Sequence, residues 1–375
     1  MEKAIMQILP SLKQGGVEVG TIEIASALQE NHIPNMVVSN GGQMVAQLEQ
    51  IGVKHIQLPV HSKNPFRIWL NAKKIAQVAL ENNVGLMHVR SRAPAWSVWL
   101  ASKKTGIPFI SSYHGVYGIK PKIKKLYNSV MLKGLCTIAV SEYVKQHLMS
   151  EYHYPESKIH VIARGADFKR FNPNLFTTKH IETFVQENNI PMDKPIITLV
   201  GRLSKIKGQL ELLQAFKQMQ TKELTCLLVG GKAKPEYEKE LNDLMATLPE
   251  GMTVKILSVP GMKMPLVYAI SNVVVSASMV PESFGRTVVE ANAMKRIVVA
   301  FNHGGPTETI IDGKTGYLVP VGDTQALAGA LDKALSLTAD QKKAMEEAAY
   351  QNALSNFSIE KMCEKTLTLY KEILK

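Results

Sequence analysis

Short runs rich in β-branched residues alternate with amphipathic stretches along this chain, and the alternation starts twice. Ala4–Leu9, Met36–Ser39, Ile56–Val60, Leu86–Val89, Phe109–Tyr113, Thr137–Val140 and His160–Ala163 read as strands. Between them lie stretches of helical period such as Val17–Glu30, Phe66–Glu81 and Lys122–Leu132. This order specifies a parallel sheet covered by helices. The stretch Asn172–Lys194 is less patterned, closes on a Pro-Met-Asp-Lys-Pro turn, and reads as a linker. The alternation then resumes with Ile196–Val200, Leu227–Val229, Val254–Leu257, Val273–Ser276 and Ile297–Ala300, and the chain ends in an amphipathic helix from Ser358 to Leu374. At 375 residues the chain exceeds one ordinary core, so the pattern predicts two α/β domains and a cleft between them.

In an open α/β sheet, ligands collect at the carboxyl ends of the strands. The unusual residues of this chain fall there. Leu12-Lys13-Gln14-Gly15-Gly16-Val17-Glu18 follows the first strand, and its paired glycines let backbone approach a phosphate at a helix N-terminus, or simply make a turn. It is not the spacing of a dinucleotide-binding loop. Gly201-Arg202-Leu203-Ser204-Lys205-Ile206-Lys207-Gly208 follows the first strand of the second half. There Arg202 offers a bidentate fork and Lys207 a point charge, which suits a diphosphate; a solvated basic turn is the alternative.

Pro281-Glu282-Ser283-Phe284-Gly285-Arg286-Thr287-Val288-Val289-Glu290 follows Val273–Ser276, and Ser283 to Gly285 is expected to open a helix with free amides. If helical throughout, the eight steps from Glu282 to Glu290 span about 12 Å. That exceeds the roughly 5–9.5 Å between the carboxylates of a glycoside hydrolase, so two hydroxyl-binding groups fit better than an acid and a base. His303-Gly304-Gly305-Pro306-Thr307-Glu308 repeats the arrangement of glycine-rich loop and short helix. In the first half, Ser111-Ser112-Tyr113-His114-Gly115 puts a histidine at a strand end, where a structural hydrogen-bonding role is the alternative to a functional one.

Taken together, Glu282 and Glu290 as a Glu-x7-Glu pair, the Gly-Arg-Leu run ending in Lys207-Gly208, and His114-Gly115 stand in the order and spacing of glycosyltransferase family 4, which the chain resembles over nearly its full length. The resemblance implies the GT-B architecture, two Rossmann-like domains with parallel sheets facing a central cleft: an acceptor-side domain at 1–170, a nucleotide-sugar domain at 171–356, and helix 357–375 packing back on the first. It implies that the Gly15-Gly16 loop meets the donor diphosphate and that Arg202 and Lys207 bind and stabilise it as it leaves. Glu282, Ser283 and the amides of Phe284 and Gly285 would hold the transferred sugar, Glu290 the ribose, and His114 the donor sugar near the reacting carbon. Members retain anomeric configuration, which implies front-face attack with the leaving phosphate taking the acceptor's proton. Where many members carry Asn-Gly-Val-Asp near the hinge, this chain has Arg164-Gly165-Ala166-Asp167.

No Asp-x-Asp occurs in the sequence, so no carboxylate pair is offered to a divalent metal and no cofactor is expected beyond the UDP- or GDP-linked donor. Residues 1–190 hold 22 Lys+Arg against 12 Asp+Glu and the remainder 22 against 20, so most of the net charge of +12 lies in the first half. An anionic partner would suit this asymmetry, as would plain solubility. Lys120, Lys122, Lys124, Lys125 and Lys133, with Ile123, Leu126, Val130 and Leu132, read as a basic amphipathic face for an anionic membrane, or as a solvated helix. Arg90 and Arg92 could face an anionic acceptor, although a strand-end arginine is usually surface. Cys136, Cys226 and Cys363 show no metal spacing and read as packing residues of a reduced compartment. Without a spanning run or leader at Met1–Pro10, a cytoplasmic enzyme peripheral to the membrane is expected.

The expected activity is transfer of a hexose to a lipid-linked or polysaccharide acceptor, in lipopolysaccharide or another surface glycan. A GT-B nucleotide-sugar epimerase would share the fold but lack the Glu-x7-Glu pair. A nucleic-acid-binding protein would suit the charge, but the basic stretch has few interleaved aromatics and no RNA-binding signature.

Overall fold

The computed structural model describes residues 3–13, 15–118 and 120–375; Met1, Glu2 and Gln14 of the segments above lie outside these. The chain forms two compact units, Met1–Arg164 with Ile359–Lys375, and Gly165–Ser358. They part at Arg164/Gly165 and at Ser358/Ile359, where the resemblance places the boundaries at 170/171 and 356/357.

In the first unit β1 (Ala4–Ile8), α1 (Gly16–Glu30), β2 (Asn35–Ser39), α2 (Val45–Gln50), β3 (Lys54–Gln57), α3 (Pro65–Glu81), β4 (Val84–Val89) and α4 (Arg92–Thr105) come first. Then follow β5 (Phe109–Tyr113), α5 (Lys122–Ser129), β6 (Thr137–Ala139), α6 (Glu142–Tyr152) and β7 (Ile159–Val161). The sheet order is β3-β2-β1-β4-β5-β6-β7, and every pairing is parallel.

The second unit runs α7 (Thr178–Glu187), β8 (Ile196–Val200), α8 (Gln209–Gln218), β9 (Leu224–Val229), α9 (Pro235–Met245), β10 (Met252–Leu257), α10 (Met264–Ile270) and β11 (Val273–Ser276). It continues through α11 (Arg286–Ala293), β12 (Ile297–Phe301), α12 (Pro306–Thr309), β13 (Tyr317–Val319), α13 (Thr324–Leu335) and α14 (Ala339–Phe357). Its parallel sheet has the order β10-β9-β8-β11-β12-β13. Helix α15 (Ile359–Leu374) belongs to the first unit.

Strand residues alternate between faces, so each sheet feeds two cores. In the first unit Met6, Ile8, Met87 and Val89 enter one, while Ile5, Leu86, Ile110 and Ile138 enter the other. The second of these is closed by Met362, Cys363, Leu367 and Tyr370 of α15. The three cysteines are free and buried, and burial raises their thiols, Cys136 to about 11 and Cys363 to about 12.

Several elements differ from the sequence expectation. Asn172–Lys194 is not a linker: it contains α7, capped by Thr177 and His180, with Phe184 and Ile190 buried in the second unit. Its apolar stripe of Ile181, Phe184 and Val185 is too short to stand out in sequence. The third strand stops at Gln57: Leu58 N–H still donates to Ser39 O at 2.8 Å, but Val60 N–H turns back to Leu58 O at 2.7 Å and leaves the ladder. The basic helix ends at Ser129 and passes into a 3₁₀ turn, Val130–Lys133. Val130 lies in the core and Leu132 packs against it, which leaves Ile123 and Leu126 as the exposed apolar residues of that face.

Candidate active site

Both sheets reverse their strand order once, between β1 and β4 in the first and between β8 and β11 in the second. A crevice opens at the carboxyl end of such a switch point, because the flanking connections leave toward opposite sides. The predicted site residues of each unit gather there.

In the second unit β8 ends at Val200 and the loop to α8 is pressed against the end of β11. Met279 N–H donates to Ile206 O at 2.9 Å, and Gly208 has φ +74°. A Cβ on Gly208 would stand 1.8 Å from Ala277 O, so only glycine fits there. This contact carries Lys207 to Glu282: its Nζ donates to Glu282 Oε1 at 2.5 Å, and Ser278 Oγ donates to the same oxygen at 2.5 Å. The Glu282 side chain keeps 18% of its exposure and Lys207 22%, so the pair is partly screened from water yet reachable. The guanidinium of Arg202 is exposed and unpaired among the described residues.

Gly305 N–H donates to Glu282 O at 2.7 Å, and His303 Nε2 contacts Ser278 O at 2.6 Å. The His303-Gly304-Gly305 loop therefore props the Glu282 loop from beneath. A Cβ on Gly305 would meet the Phe284 backbone at 2.2 Å, which explains the second glycine. Helix α11 begins at Arg286 and not at Ser283, with Gly285 as its cap at φ +80°. The 12 Å helical separation of the two glutamates thus does not apply. The N–H groups of Ser283, Phe284 and Gly285 donate to nothing among the described residues.

Glu290 is only 9% exposed and has partners of its own. Tyr268 OH donates to its Oε2 at 3.0 Å and Arg286 Nη2 to its Oε1 at 3.0 Å. Burial and then the adjacent Glu290 carboxylate push the Tyr268 phenol well up, so it stays a donor. Beside Arg202 lies a pocket of about 700 Å³ whose walls include Ser204, Lys205, Gly231, Lys232 and Tyr237. That volume suits a small-molecule site.

In the first unit Gly15 caps α1 without a side-chain cap, and Glu18 folds back so that a Cβ on Gly15 would stand 2.6 Å from its carboxylate. Arg164 donates to Gly16 O. A Cβ on Gly16 would lie 2.6 Å from the Arg164 guanidinium, and one on Gly20 3.2 Å from that of Arg90. The two glycines, one turn apart, make room along α1 for two arginines. Arg90 is buried, contrary to the surface position usual for a strand-end arginine, because Gln7 accepts from its Nη1 at 2.9 Å. Arg92 lies 3.9 Å over the Tyr117 ring and donates to Asn128.

His114 has both ring nitrogens buried without a hydrogen-bond partner. It shares a small cavity of about 20 Å³ with His88, Arg90, Ser112 and Arg164, large enough for one water molecule. Burial, followed by Arg90, Arg164 and His88, holds its pKa well below the ordinary histidine value, so His114 is neutral. His88 Nδ1 meets Tyr370 OH at 2.5 Å and its Nε2 meets Ser112 Oγ at 2.7 Å, which ties α15 beneath the site.

The fold thus joins Lys207 to Glu282 and sets Gly16 beside Arg164, while Glu290 stands in a separate network. Ser278 and Tyr268, which bond to Glu282 and Glu290, are residues that the motifs did not single out. Of the missed contacts, only the i,i+4 spacing of Arg286 and Glu290 was open to reading. Among the described residues no group of three or more His, Cys, Asp and Glu side chains is placed to hold a metal.

Residues 14–170 match the model of glycosyltransferase family 4, and residues 180–352 that of glycosyl transferases group 1. The crystal structure of a glycosyltransferase from Rickettsia africae is 40% identical with a TM-score of 0.92, covering 100% of this chain and 99% of that one. The Anabaena protein HepE in complex with UDP and glucose shares the fold, with 21% identity, a TM-score of 0.82 and coverage of 98% and 99%. Spore coat protein SA of Bacillus subtilis is 24% identical over 374 residues, 97% of this chain and 96% of its own length. The chain belongs to the family 4 glycosyltransferases, enzymes built from two Rossmann-like domains in the GT-B architecture.

Proposed function

We propose that this enzyme moves a hexose, with retention, from a UDP- or GDP-linked donor to a lipid-linked or polysaccharide acceptor of a bacterial surface glycan, lipopolysaccharide being one such product. The observation that carries the reading is the Lys207–Glu282–Ser278 contact at the β8/β11 switch point, beside Arg202 and the free amides of Ser283 to Gly285. Cations and open donors lie together where a diphosphate and a sugar would sit. The likeness to HepE, whose crystals hold UDP and glucose, favours a uridine nucleotide.

In this mechanism Lys207 turns from Glu282 to the diphosphate and joins Arg202, which frees the Glu282 carboxylate to accept from sugar hydroxyls. Two preorganised cations then meet the charge that develops on the leaving phosphate. The bond from the anomeric carbon to the phosphate oxygen breaks, and the acceptor oxygen bonds to that carbon from the same face. The acceptor's proton passes to the departing phosphate oxygen. Glu290, already oriented by Tyr268 and Arg286, accepts from the ribose hydroxyls. Neutral His114 neither repels a cation nor supplies a proton; both its nitrogens are buried at a cavity of about 20 Å³, so contact with a donor-sugar hydroxyl requires that cavity to open. No metal is invoked, and the acceptor is met at an anionic membrane near Lys120, Lys122, Lys124, Lys125 and Lys133.

A thermal-shift screen of nucleotide sugars, with and without a chelator, tests the donor assignment. A donor at a hundred times its dissociation constant stabilises by about 2.7 kcal/mol. A shift with one nucleotide sugar that survives the chelator is expected; no response to any of them, or a response that needs magnesium, overturns the reading.

A further inference from the structure

Between His61 and Leu135 the chain carries thirteen lysines and arginines and a single acidic residue, Glu81. This fifth of the sequence balances to +12, the net charge of the whole protein, and it also holds all three tryptophans. The fold gathers it into one layer. Ser97 Oγ of α4 donates to Ile68 O of α3 at 3.1 Å, and the preceding residue, Trp96, donates from Nε1 to Tyr127 O of α5 at 3.2 Å. The first turn of α3 and the last turn of α5 therefore flank the same turn of α4.

Apolar side chains stand out on both flanks. On α3, Phe66 is 66% and Trp69 47% exposed, their rings stacked at 6.1 Å, with Lys73 Nζ 3.5 Å over Trp69. On α5, Ile123 is 74% and Leu126 64% exposed among lysines. Exposed aromatic and aliphatic groups ringed by charge of one sign match a bilayer interface, where rings sit at headgroup depth and ammonium groups meet phosphates. A nucleic acid would need open ring faces for base stacking and has no use for bare aliphatic side chains. Here the ring of Trp69 already faces Phe66 and Lys73, and Trp96 and Trp99 pack against the core.

We propose that the first unit docks on an anionic bilayer through α3, α4 and α5, with Phe66 and Trp69 entering the headgroup layer as an anchor separate from the lysines of α5. These helices begin at the carboxyl edge of the sheet, and the β5–α5 connection carries His114. Docking thus brings that edge to the headgroups, where a lipid-linked acceptor resides. The inference rests on the lipid-linked acceptor reading for its purpose, while the binding itself does not depend on transfer activity.

The full chain is sedimented with vesicles of phosphatidylethanolamine and phosphatidylglycerol, and with vesicles of phosphatidylcholine alone, at low and raised salt. Binding is expected to the anionic vesicles only and to weaken with salt. Phe66→Ser with Trp69→Ser should weaken it by at least about tenfold. Lys122→Glu with Lys124→Glu should do the same, with the donor-induced thermal shift unchanged in both variants. Bromine-labelled acyl chains should quench the fluorescence of the protein but not that of Trp69→Phe. Absence of binding, equal binding after loss of Phe66 and Trp69, quenching that persists in Trp69→Phe, or tighter binding to an oligonucleotide overturns the proposal. Because the thermal shift is read separately, a failed donor assignment and a failed docking surface give different results.

Discussion

At the scale of single residues, the site is governed by charges that are paired before any ligand arrives. Lys207 is held by Glu282 at 2.5 Å, and Glu290 by Arg286 and Tyr268. These pairs have different consequences for mutation. The Arg202 guanidinium has no partner among the described residues, and the bonds that Ser204 and Gln209 make go to its backbone carbonyl, so Arg202→Ala removes a cation at little cost to the fold. Lys207→Ala also leaves the part-buried Glu282 to the Ser278 hydroxyl alone. Each substitution is expected to lower turnover by about 10²–10³-fold, as loss of one preorganised donor to a leaving group does. Steady-state kinetics with the donor found by thermal shift check this, and a change confined to KM would contradict a role in stabilising departure. The pairing of Lys207 with Glu282 lay beyond the sequence, since 75 residues separate the two. Their being polar residues in strand-end loops did not.

Elements decide where those charges can stand. The loop from β8 to α8 crosses the end of β11 only because Gly208 brings no side chain to Ala277 O and adopts φ +74°. Gly208→Ala should therefore cost at least about 2 kcal/mol, from both the left-handed backbone and the clash. Thermal unfolding measures it, and a variant as stable as the parent would mean that the loop can retreat. The strand ends in this region were largely legible because the β-branched runs stop at glycine or serine, as at Gly201 and Ser276, although β12 runs one residue past the expected Ala300, to Phe301. The start of α11 was not: Ser283 and Phe284 look like a helix opening, yet the chain turns left-handed at Gly285 to pass Pro306 before the helix begins at Arg286.

On the scale of the whole molecule, the first unit is completed by the last helix of the chain. Ile5, Leu86, Ile110 and Ile138 are covered by Met362, Cys363, Leu367 and Tyr370, and His88 meets the Tyr370 hydroxyl. A chain ending at Ser358 would bare this apolar face and leave a buried histidine nitrogen unpaired. Such a chain should lose the cooperative melting of its first unit while the second still responds to nucleotide; an unchanged melting profile would show that α15 is dispensable. What the sequence determined by itself is the local part: the α/β alternation, the two halves, the parallel sheets, and the glycines and charges at strand ends, because period and turn chemistry act over a few residues. What only the tertiary structure decided is which of those groups meet. Arg90 could be buried only where Gly20 leaves room and Gln7 accepts, and α7 could be ordered only by the face that takes Phe184. Contacts of this kind depend on the packing of elements distant in the chain, and no local pattern encodes them.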